Sequence, residues 1–414
     1  MRPRTWLLAS LIPLALSMSL LPAADEKKSD DTGITWKKTV LDKRFRAEGV
    51  AVADVNKDGK ADILIGEVWY EAPSWKRHEI KKPGDYGDGA GGYSHTFACW
   101  ADDLNGDGYP DLIVIDFPGT PCYWLENPRG KDEHWKQHII WHSACNETPT
   151  YVDLLGTGKR VLLMGWQPKG KDNEGQMAYF TPGDDPAQLW KMHAISEPSS
   201  KGHVIPGTNR FSHGLGAGDV NGDGKRDVLC TAGWWQQPAK LDDKPWKFHA
   251  AALGDACADM FTYDVDGDGK SDILSSSAHN YGIWSYLQRP GSGGSPAFLK
   301  QVLFPRLVSE THALHCVDIN GDGLADLVTG KRWWAHGPKG DVDANAPAKL
   351  YWFEAKKNND GLIRFVPHEI DDDSGMGTQF AVTDVNGDKL LDVVTANKKG
   401  VFLFEQARLV RKRK

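Results

Sequence analysis

A nine-residue loop pattern that recurs along the chain constrains the fold more than any other feature. Its clearest copy, Asp219-Val220-Asn221-Gly222-Asp223-Gly224-Lys225-Arg226-Asp227, has carboxylate or amide oxygens at the first, third, fifth and ninth positions. Glycine occupies the sixth position, where a loop must turn sharply around a hard cation, so the pattern is typical of a calcium-binding loop. The run Val228-Leu229-Cys230-Thr231 follows in place of a helix-forming segment. The loop is therefore predicted to join two β-strands.

Six copies of this loop and one degenerate copy, 153–158, divide the chain into seven units spaced roughly 45–66 residues apart. The last full copy has Lys389 at the sixth position instead of glycine. Such a repeat predicts an all-β protein, a seven-bladed β-propeller with calcium-binding loops. The predicted calcium ligands are Asp54, Asn56, Asp58 and Asp62; Asp103, Asn105, Asp107 and Asp111; Asp219, Asn221, Asp223 and Asp227; Asp264, Asp266, Asp268 and Asp272; Asp318, Asn320, Asp322 and Asp326; and Asp384, Asn386, Asp388 and Asp392.

A second repeated element, a strand of the Trp-Lys-x-His type, precedes most innermost strands and is predicted to be the outermost strand of the preceding blade. The first such run, Ile34 to Leu41, has no preceding blade. It is expected to pair with Val401 to Glu405, which closes the ring and removes exposed sheet edges. We interpret the histidines of these strands as structural or surface residues and not as ligands: His78, His138, His193, His249 and His368.

The two ends of the chain differ from the repeats. Arg2 and Arg4, an apolar run and Ala23-Ala24 predict a signal peptide, and hence a secreted, periplasmic or cell-surface protein. An uncleaved membrane anchor is the alternative, which the alanines disfavour; no stable membrane span is expected after cleavage. The predicted organisation is 1–24 signal peptide, 25–33 disordered linker, 34–406 propeller and 407–414 basic tail. The sequence does not indicate an oligomeric state.

Composition excludes some function classes. The formal charge of −7 comes mostly from loop carboxylates, and nothing basic or aromatic within the repeats is arranged for nucleic acid. No nucleophile elbow and no phosphate-binding glycine loop is present. The six cysteines of an exported chain allow disulfides, but several lie in apolar strand runs, which favours buried free thiols.

Polar residues at the starts of the innermost strands are the strongest functional signal, because these starts ring the mouth of the central channel. They are Glu48, His95, Glu147, His213, Asp259, His312 and Gln379. Three imidazoles and several carboxylates suit a transition metal such as Zn, or Mn or Mg where carboxylates dominate. The candidate ligands are His95, Glu147, His213, Asp259 and His312. The alternative is a set of solvated channel groups without a ligand.

The loops after the second strands lie on the same face and combine aromatic rings with polar groups, which suits sugar binding. The candidate substrate-binding residues are Trp166, Trp234, Trp235, His279, Trp333 and Trp334. The alternative is that these tryptophans pack between blades, and one of each adjacent pair is expected in the core.

The repeated loops resemble FG-GAP/VCBS repeats, which form seven-bladed propellers with calcium in the loops. A narrower resemblance, to the propeller domain of aldos-2-ulose dehydratase, rests on Tyr93-Ser94-His95, Phe211-Ser212-His213, Glu310-Thr311-His312 and the Gly-Trp-Trp loop at Gly233. That resemblance implies removal of water from keto-sugars with a bound divalent metal. The cupin domains that accompany the propeller in that enzyme are not part of these 414 residues.

Two hypotheses follow, and both have carbohydrate as the expected partner. The first is a metal-dependent sugar lyase or dehydratase, in which the metal polarises a carbonyl or carboxylate, a histidine or Glu48 takes the α-proton, and Lys331 or Arg332 stabilises the oxyanion. Its candidate catalytic residues are His95, His213, His312, Glu48, Lys331 and Arg332. The second is a non-catalytic, calcium-stabilised propeller that binds glycans or proteins at the cell surface.

Overall fold

The computed structural model describes residues 32–171, 174–242, 244–254, 256–257, 259–291, 293 and 295–409. These residues form 28 strands in seven four-stranded sheets. The predicted signal peptide, almost all of the predicted linker and the end of the basic tail lie outside the described residues. Within the described residues, no helix is long and apolar enough to cross a membrane.

Each sheet is one blade, and we number the blades in chain order. Blade 1 is β2 (Ala51–Ala53), β3 (Asp62–Leu64), β4 (Val68–Glu71) and β5 (Lys76–Glu79); blade 2 is β6 (Ala98–Asp102), β7 (Asp111–Ile115), β8 (Cys122–Glu126) and β9 (Lys136–Trp141); blade 3 is β10 (Thr150–Val152), β11 (Val161–Trp166), β12 (Gln176–Thr181) and β13 (Lys191–Ala194); blade 4 is β14 (Leu215–Gly218), β15 (Asp227–Cys230), β16 (Gly233–Gln236) and β17 (Lys247–Ala250). Blade 5 is β18 (Phe261–Tyr263), β19 (Asp272–Ser276), β20 (Tyr281–Arg289) and β21 (Ala297–Ser309); blade 6 is β22 (Leu314–Val317), β23 (Asp326–Gly330), β24 (Leu350–Lys357) and β25 (Ile363–Asp371); blade 7 is β26 (Ala381–Thr383), β27 (Asp392–Asn397), β28 (Gly400–Arg408) and β1 (Ile34–Asp42).

The terminal strands close the ring. In blade 7 the strand order is β1-β28-β27-β26, so the first strand of the chain is the outermost strand of the last blade. The pairing is antiparallel, with Ile34 opposite Arg408 and Thr39 opposite Leu403. The prediction of an all-β, seven-bladed propeller closed by its terminal strands is confirmed, and the closed ring leaves short edges only.

The hydrophobic core lies between neighbouring blades, because successive side chains of a strand point to opposite faces of its sheet. Trp234 of β16 packs into the cluster that includes Ile273 and Trp284 of blade 5. Trp235 points the other way and packs with Leu163 of blade 3. A middle strand of a blade therefore has two buried faces, and both tryptophans are almost fully buried.

The outer strands and the cysteines have structural roles. Each histidine of the Trp-Lys-x-His type strands stacks on an aromatic ring of the third strand, with ring centroids 4.1–4.6 Å apart. These pairs are Trp69–His78, Trp124–His138, Tyr179–His193, Trp234–His249 and Trp352–His368. All six cysteines are free thiols and five are buried, in agreement with the interpretation that they pack as small hydrophobic residues.

The ninth residue of each full loop is buried and tied to its blade. In blade 1, Asp62 accepts backbone N–H bonds from Val55 at 2.9 Å and from Ala72 at 2.8 Å. The loop's first residue, Asp54, accepts bonds from the backbone N–H groups of Asp58 and Gly59. These bonds fix the shape of the loop, which faces away from the starts of the innermost strands.

Candidate functional site

Three histidines and one glutamate meet on the axis of the propeller; we call His213, His279, His312 and Glu147 the central cluster. The Nε2 atom of His213 lies 3.1 Å from Nε2 of His312 and 3.0 Å from Nε2 of His279. Glu147 Oε2 lies 3.1 Å from His312 Nε2 and 3.6 Å from His213 Nε2. Four neighbouring blades therefore contribute to one cluster.

Short turns before the innermost strands place two of these imidazoles. Phe211 and Glu310 each stand two residues before a cluster histidine and have positive φ angles of 65° and 56°. Non-glycine residues seldom adopt this conformation, and it is concentrated at functional sites. His279 reaches the cluster differently, from the turn between β19 and β20.

A buried arginine joins the cluster to a second glutamate. Arg332 NH1 lies 3.2 Å from Glu147 Oε2, and its NH2 lies 2.8 Å from Glu48 Oε1. Burial alone would raise the pKa of Glu147, but hydrogen bonds from His213 and His312 and the charge of Arg332 outweigh it, so this pKa lies well below its usual range. Burial and the nearby guanidinium hold the pKa of His312 well below its usual value. Glu147 is thus ionised and His312 neutral, the forms that bind metals.

A carboxylate behind His279 links it to a fourth histidine. Asp341 Oδ1 lies 3.4 Å from His279 Nδ1 and 3.0 Å from His336 Nδ1. Burial opposes ionisation of Asp341, but its interactions with the His279 and His336 imidazoles prevail and lower its pKa. An anionic Asp341 favours the tautomers of both rings in which Nδ1 carries hydrogen, which leaves each Nε2 as an acceptor.

Glu147, His213 and His279 of the central cluster form the floor of a cavity of about 390 Å³, and His312 is buried behind them. Its walls are aromatic: Tyr93, Phe97, Phe117 and Phe211 line it together with Glu147, His213, His279 and His336. Phe117 contacts Phe211 edge to face, with ring centroids 5.5 Å apart. Such a pocket, apolar on its sides and polar at one end, is the usual form of a small-molecule site.

The structure brings together only part of the predicted ring. His213, His312 and Glu147 contact one another, and Arg332 connects Glu48 to them by bonding both glutamates. His95 does not join them: its side chain is 60% exposed and bonds Asp116 at 3.0 Å.

Asp259 and Gln379 also lie elsewhere and tie the backbones of inner strands. Asp259 accepts the N–H of Leu314 at 3.0 Å and does not join the central cluster. The structure therefore does not agree with the prediction that Asp259 binds the channel metal. Gln379 Oε1 accepts the N–H of Val50 at 2.8 Å.

Several predicted catalytic and substrate-binding residues take other positions. Lys331 is buried against Glu310 and Ser309 and does not line the pocket, so Arg332 alone of the pair reaches the cluster. Trp234 and Trp235 are 1% and 2% exposed, which corrects both their predicted contact with substrate and the expectation that only one of them is core.

The remaining predicted aromatic residues are partly exposed but lie outside the pocket lining. Trp166 packs edge to face on Trp141, with ring centroids 5.6 Å apart. Trp333 and Trp334 stack on each other at 4.9 Å. Of the predicted substrate-binding residues, only His279 lines the pocket.

Sequence reasoning missed the aromatic wall and the Asp341–His336 pair. A signal for the wall was present, because Tyr93 and Phe211 occupy the first position of matching triplets that end in histidine. Nothing in the spacing of Asp341 and His336 marks them, since both belong to an irregular loop between β23 and β24.

The donor set of the central cluster fits a divalent transition metal. A Zn–N bond of 2.0–2.1 Å implies ligand atoms about 3.3 Å apart in a tetrahedral site and about 2.9 Å apart in an octahedral one. The Nε2 separations of 3.0 and 3.1 Å lie between these values. Neutral imidazoles without a shared ion would gain little from such an approach, since Nε2 of His213 has one hydrogen at most for three neighbours.

The loops offer a different, oxygen-only donor set. Ligand oxygens of Asp264, Asp266 and Asp272 lie within 4.8 Å of one another. Burial, together with nearby carboxylates, raises the pKa of Asp111 to about 7 and that of Asp62 to about 6. A bound cation would offset both the burial of these carboxylates and their smaller mutual repulsion, so the loops fit calcium.

The fold defines the protein as a seven-bladed β-propeller, and residues 264–329, from the fifth loop to the sixth, match the family model of the FG-GAP-like repeat. The chain is therefore a propeller that carries an FG-GAP-like repeat. No curated protein matches the sequence.

Similar solved structures include a lectin of Agrocybe aegerita that recognises non-reducing terminal N-acetylglucosamine, with 15% identity over 91% of this chain and 86% of that chain and a TM-score of 0.46. A rhamnogalacturonan lyase of Bacillus licheniformis has 14% identity over 89% and 75%, with a TM-score of 0.41. The biofilm matrix protein Bap1 of V. cholerae has 12% identity over 88% of each chain, with a TM-score of 0.37. Likenesses at this level carry no argument about function.

Proposed function

We propose that the protein is a metal-dependent carbon–oxygen lyase that removes water from a keto-sugar in the aromatic pocket. The observation that carries the proposal is the meeting of three imidazole Nε2 atoms and the Glu147 carboxylate at the pocket floor. Such a set binds Zn, Mn or Fe in preference to calcium. When bound, a divalent ion supplies a Lewis acid that polarises a carbonyl oxygen.

The residues of the pocket divide the remaining work. The rings of Tyr93, Phe117 and Phe211 offer apolar faces on which a sugar ring stacks. Arg332 is 1% exposed, lies outside the pocket lining and is held by its two glutamates, so it positions Glu147 at the floor and does not take the predicted role of stabilising an oxyanion.

His336 is the best-placed proton acceptor. Its Nδ1 bonds Asp341 at 3.0 Å, its side chain is 47% exposed and it lines the pocket, so Nε2 is free to take the proton from the carbon beside the carbonyl. The C–O bond to the neighbouring hydroxyl then breaks, and the departing oxygen takes that proton, so one water leaves. Glu48, the other predicted base, is 1% exposed and paired with Arg332, which removes it from this role.

We also propose that the six full loops hold structural calcium and that the protein works outside the cytoplasm, where calcium is abundant. The loops' clustered carboxylates support the first part, and the apolar N-terminal run with its alanines supports the second.

Elemental analysis and two variants test the enzyme proposal. Purified protein should contain one equivalent of Zn, Mn or Fe per chain in addition to calcium. The double variant His213→Gln/His312→Gln should lose that metal and all turnover of 2-keto-sugars, measured as absorbance of the unsaturated ketone, and should keep the β-sheet circular dichroism. His134→Gln, at a histidine whose side chain is 57% exposed, is the matched control. Full turnover by the double variant would contradict the proposal.

The second candidate is a non-catalytic glycan-binding propeller, which the aromatic walls of the pocket also favour. Under this alternative the central cluster holds no transition metal. Calcium alone in the elemental analysis, together with binding of keto-sugars or their parent sugars without product, would select it.

A further inference from the structure

Two hydrogen bonds recur where neighbouring blades meet. In the first, the tryptophan at the start of an outermost strand donates its backbone N–H to an isoleucine carbonyl at the end of the outermost strand of the preceding blade. These bonds are Trp135 to Ile80 at 2.8 Å, Trp190 to Ile140 at 3.1 Å and Trp246 to Ile195 at 2.8 Å.

In the second, an amide side chain near the end of the third strand donates to the carbonyl at the second position of the preceding blade's loop. These bonds are Asn127 to Val55 at 3.0 Å, Gln237 to Leu154 at 2.9 Å, Gln288 to Val220 at 2.9 Å and Gln406 to Ile319 at 3.1 Å.

Among the described residues, neither bond is found where blade 7 meets blade 1, the junction at which the ring closes. Within the same residues, the first bond is also absent at the three junctions from blade 4 to blade 7, and the second is also absent between blades 2 and 3 and between blades 5 and 6. Ala72 takes the place of the amide residue, and its N–H bonds Asp62 as Asn127 bonds Asp111. The N–H of Trp75 bonds Glu71 of its own blade at 2.6 Å.

The blade 7 carbonyl that corresponds to Val55 is that of Val385, and none of the described residues donates a hydrogen bond to it. Blade 6 also has an alanine at the amide position, but there the backbone N–H of Ile363 bonds Val265 at 2.8 Å and closes the junction.

A cavity of about 350 Å³ opens at this junction; we call it the seam cavity. Its lining includes Trp75, Ala72, Val385, Lys37, Lys60 and Glu405. Trp75 is partly exposed, whereas the tryptophans at the same position in blades 2, 3 and 4 are 6%, 2% and 5% exposed. The missing bonds therefore leave an aromatic face and a carbonyl open at the same place.

We propose that the seam cavity binds one neutral saccharide residue, at a site separate from the central pocket. A tryptophan face beside a free carbonyl acceptor suits a ring that is apolar on one side and hydroxylated at its edge. In the polar lining Lys37 pairs with Glu405 at 2.6 Å, and the other charged groups, Lys60 and Asp384, belong to the predicted calcium loops of blades 1 and 7, so the cavity favours neither an anion nor a cation. The cavity is near the lower limit of ligand-site volumes, which limits the occupant to about one ring.

Binding can be tested with the full-length mature protein in calcium-containing buffer. The probes are glucose, galactose, xylose and N-acetylglucosamine at up to about 50 mM, which detects a Kd in the millimolar range. Saturation-transfer NMR and tryptophan fluorescence report binding. At least one probe should bind saturably, Trp75→Ala should weaken that binding at least tenfold, and His134→Gln, at an exposed histidine outside both cavities, should leave it unchanged.

A second variant tests the site by closing it. Ala72→Gln introduces the amide found at four of the other junctions, so it should raise Tm and weaken saccharide binding even where Trp75→Ala fails to fold. The proposal is overturned if no neutral sugar binds, if only glucuronate or glucosamine binds, or if both seam variants bind as tightly as the parent protein.

Discussion

Replacement of Lys398 by methionine should stabilise the protein at neutral pH. Lys398 is 6% exposed, and no described residue forms a hydrogen bond or an ion pair with its ammonium group. Its nearest favourable contact is the ring of Tyr93, with Nζ 4.3 Å from the centroid. Burial lowers the pKa of Lys398 from 10.5 to about 8, so the charged form of Lys398 reduces the free energy of unfolding.

The pKa difference sets the magnitude. At 1.36 kcal/mol per pKa unit, the cost of holding the ammonium at pH 7 is at most about 3 kcal/mol. Because solvent screens part of this cost, we expect Lys398→Met to raise the free energy of unfolding by about 2 kcal/mol. Methionine is unbranched and fills a similar volume, so the packing beside Tyr93 should persist.

The gain should depend on pH in one direction. Between about pH 8 and pH 10.5 the unfolded chain binds more protons than the folded one, so the stability of the parent protein rises relative to the variant. Above pH 10.5 neither state carries the charge, and the electrostatic part of the gain disappears. Below pH 8 the gain is at its full value.

Urea unfolding in saturating calcium, at pH 7 and about pH 9.5, measures both effects. Lys399→Met is the matched control, because Lys399 pairs with Asp373 at 2.8 Å and lies 4.5 Å from the Trp333 ring. The control should be neutral or slightly destabilising. A Lys398→Met variant that is less stable at pH 7, or whose gain does not shrink with rising pH, would refute the reasoning.

Three further predictions address the cluster and the loops. Asp341→Asn should weaken binding of the cluster metal about 10–100-fold, because His279 loses the partner that orients it; chelator competition and the visible spectrum of the cobalt form measure this, and an unchanged affinity would count against the site. Arg332→Met should lower the free energy of unfolding by about 3–5 kcal/mol, since Glu48 and Glu147 remain buried without their cation; a loss under about 1 kcal/mol in urea unfolding would contradict it. EDTA should lower Tm by removing loop calcium, and an unchanged melting curve would disprove the loop assignment.

The fold could be predicted because each repeat has the same sequence pattern and therefore the same local structure. In each repeat a loop with oxygens at fixed positions joins two strands. Seven such units cover their sheet edges when they close into a ring. The closure partner was also predictable, because β1 had a strand pattern and no preceding blade. The site depends on finer geometry than the repeat, and only part of it could be predicted.

Spacing explains which candidates reached the axis. Glu48, Glu147, His213 and His312 all stand six residues before the first aspartate of their loop, and all belong to the cluster or its arginine link. Asp259 stands five residues before its loop, where strand alternation turns the side chain to the other face.

His95 stands eight residues before its loop, at a longer approach to the strand, and it ends beside Asp116 instead. Whether a residue joins the central cluster therefore depends on its spacing from the first aspartate of the loop, and the sequence shows that spacing. The tryptophan loops followed a different rule: both faces of a middle blade strand are buried, so adjacent tryptophans in β16 are both core.

The central cluster also depends on the ring being closed. Its four members come from blades 3 to 6. Arg332 connects them to Glu48, which lies at the start of blade 1 and is 284 residues from Arg332 along the chain. These distances exist only while every blade between them keeps its place, and at the junction between blades 7 and 1 the two recurring bonds are missing from the described residues, although Gln379 and Val50 bond across it near the axis. A ligand that fills the seam cavity would strengthen that junction, and through it the pairing of Arg332 with Glu48. The site on the axis and the cavity at the seam are thus physically separate, yet both depend on one closure.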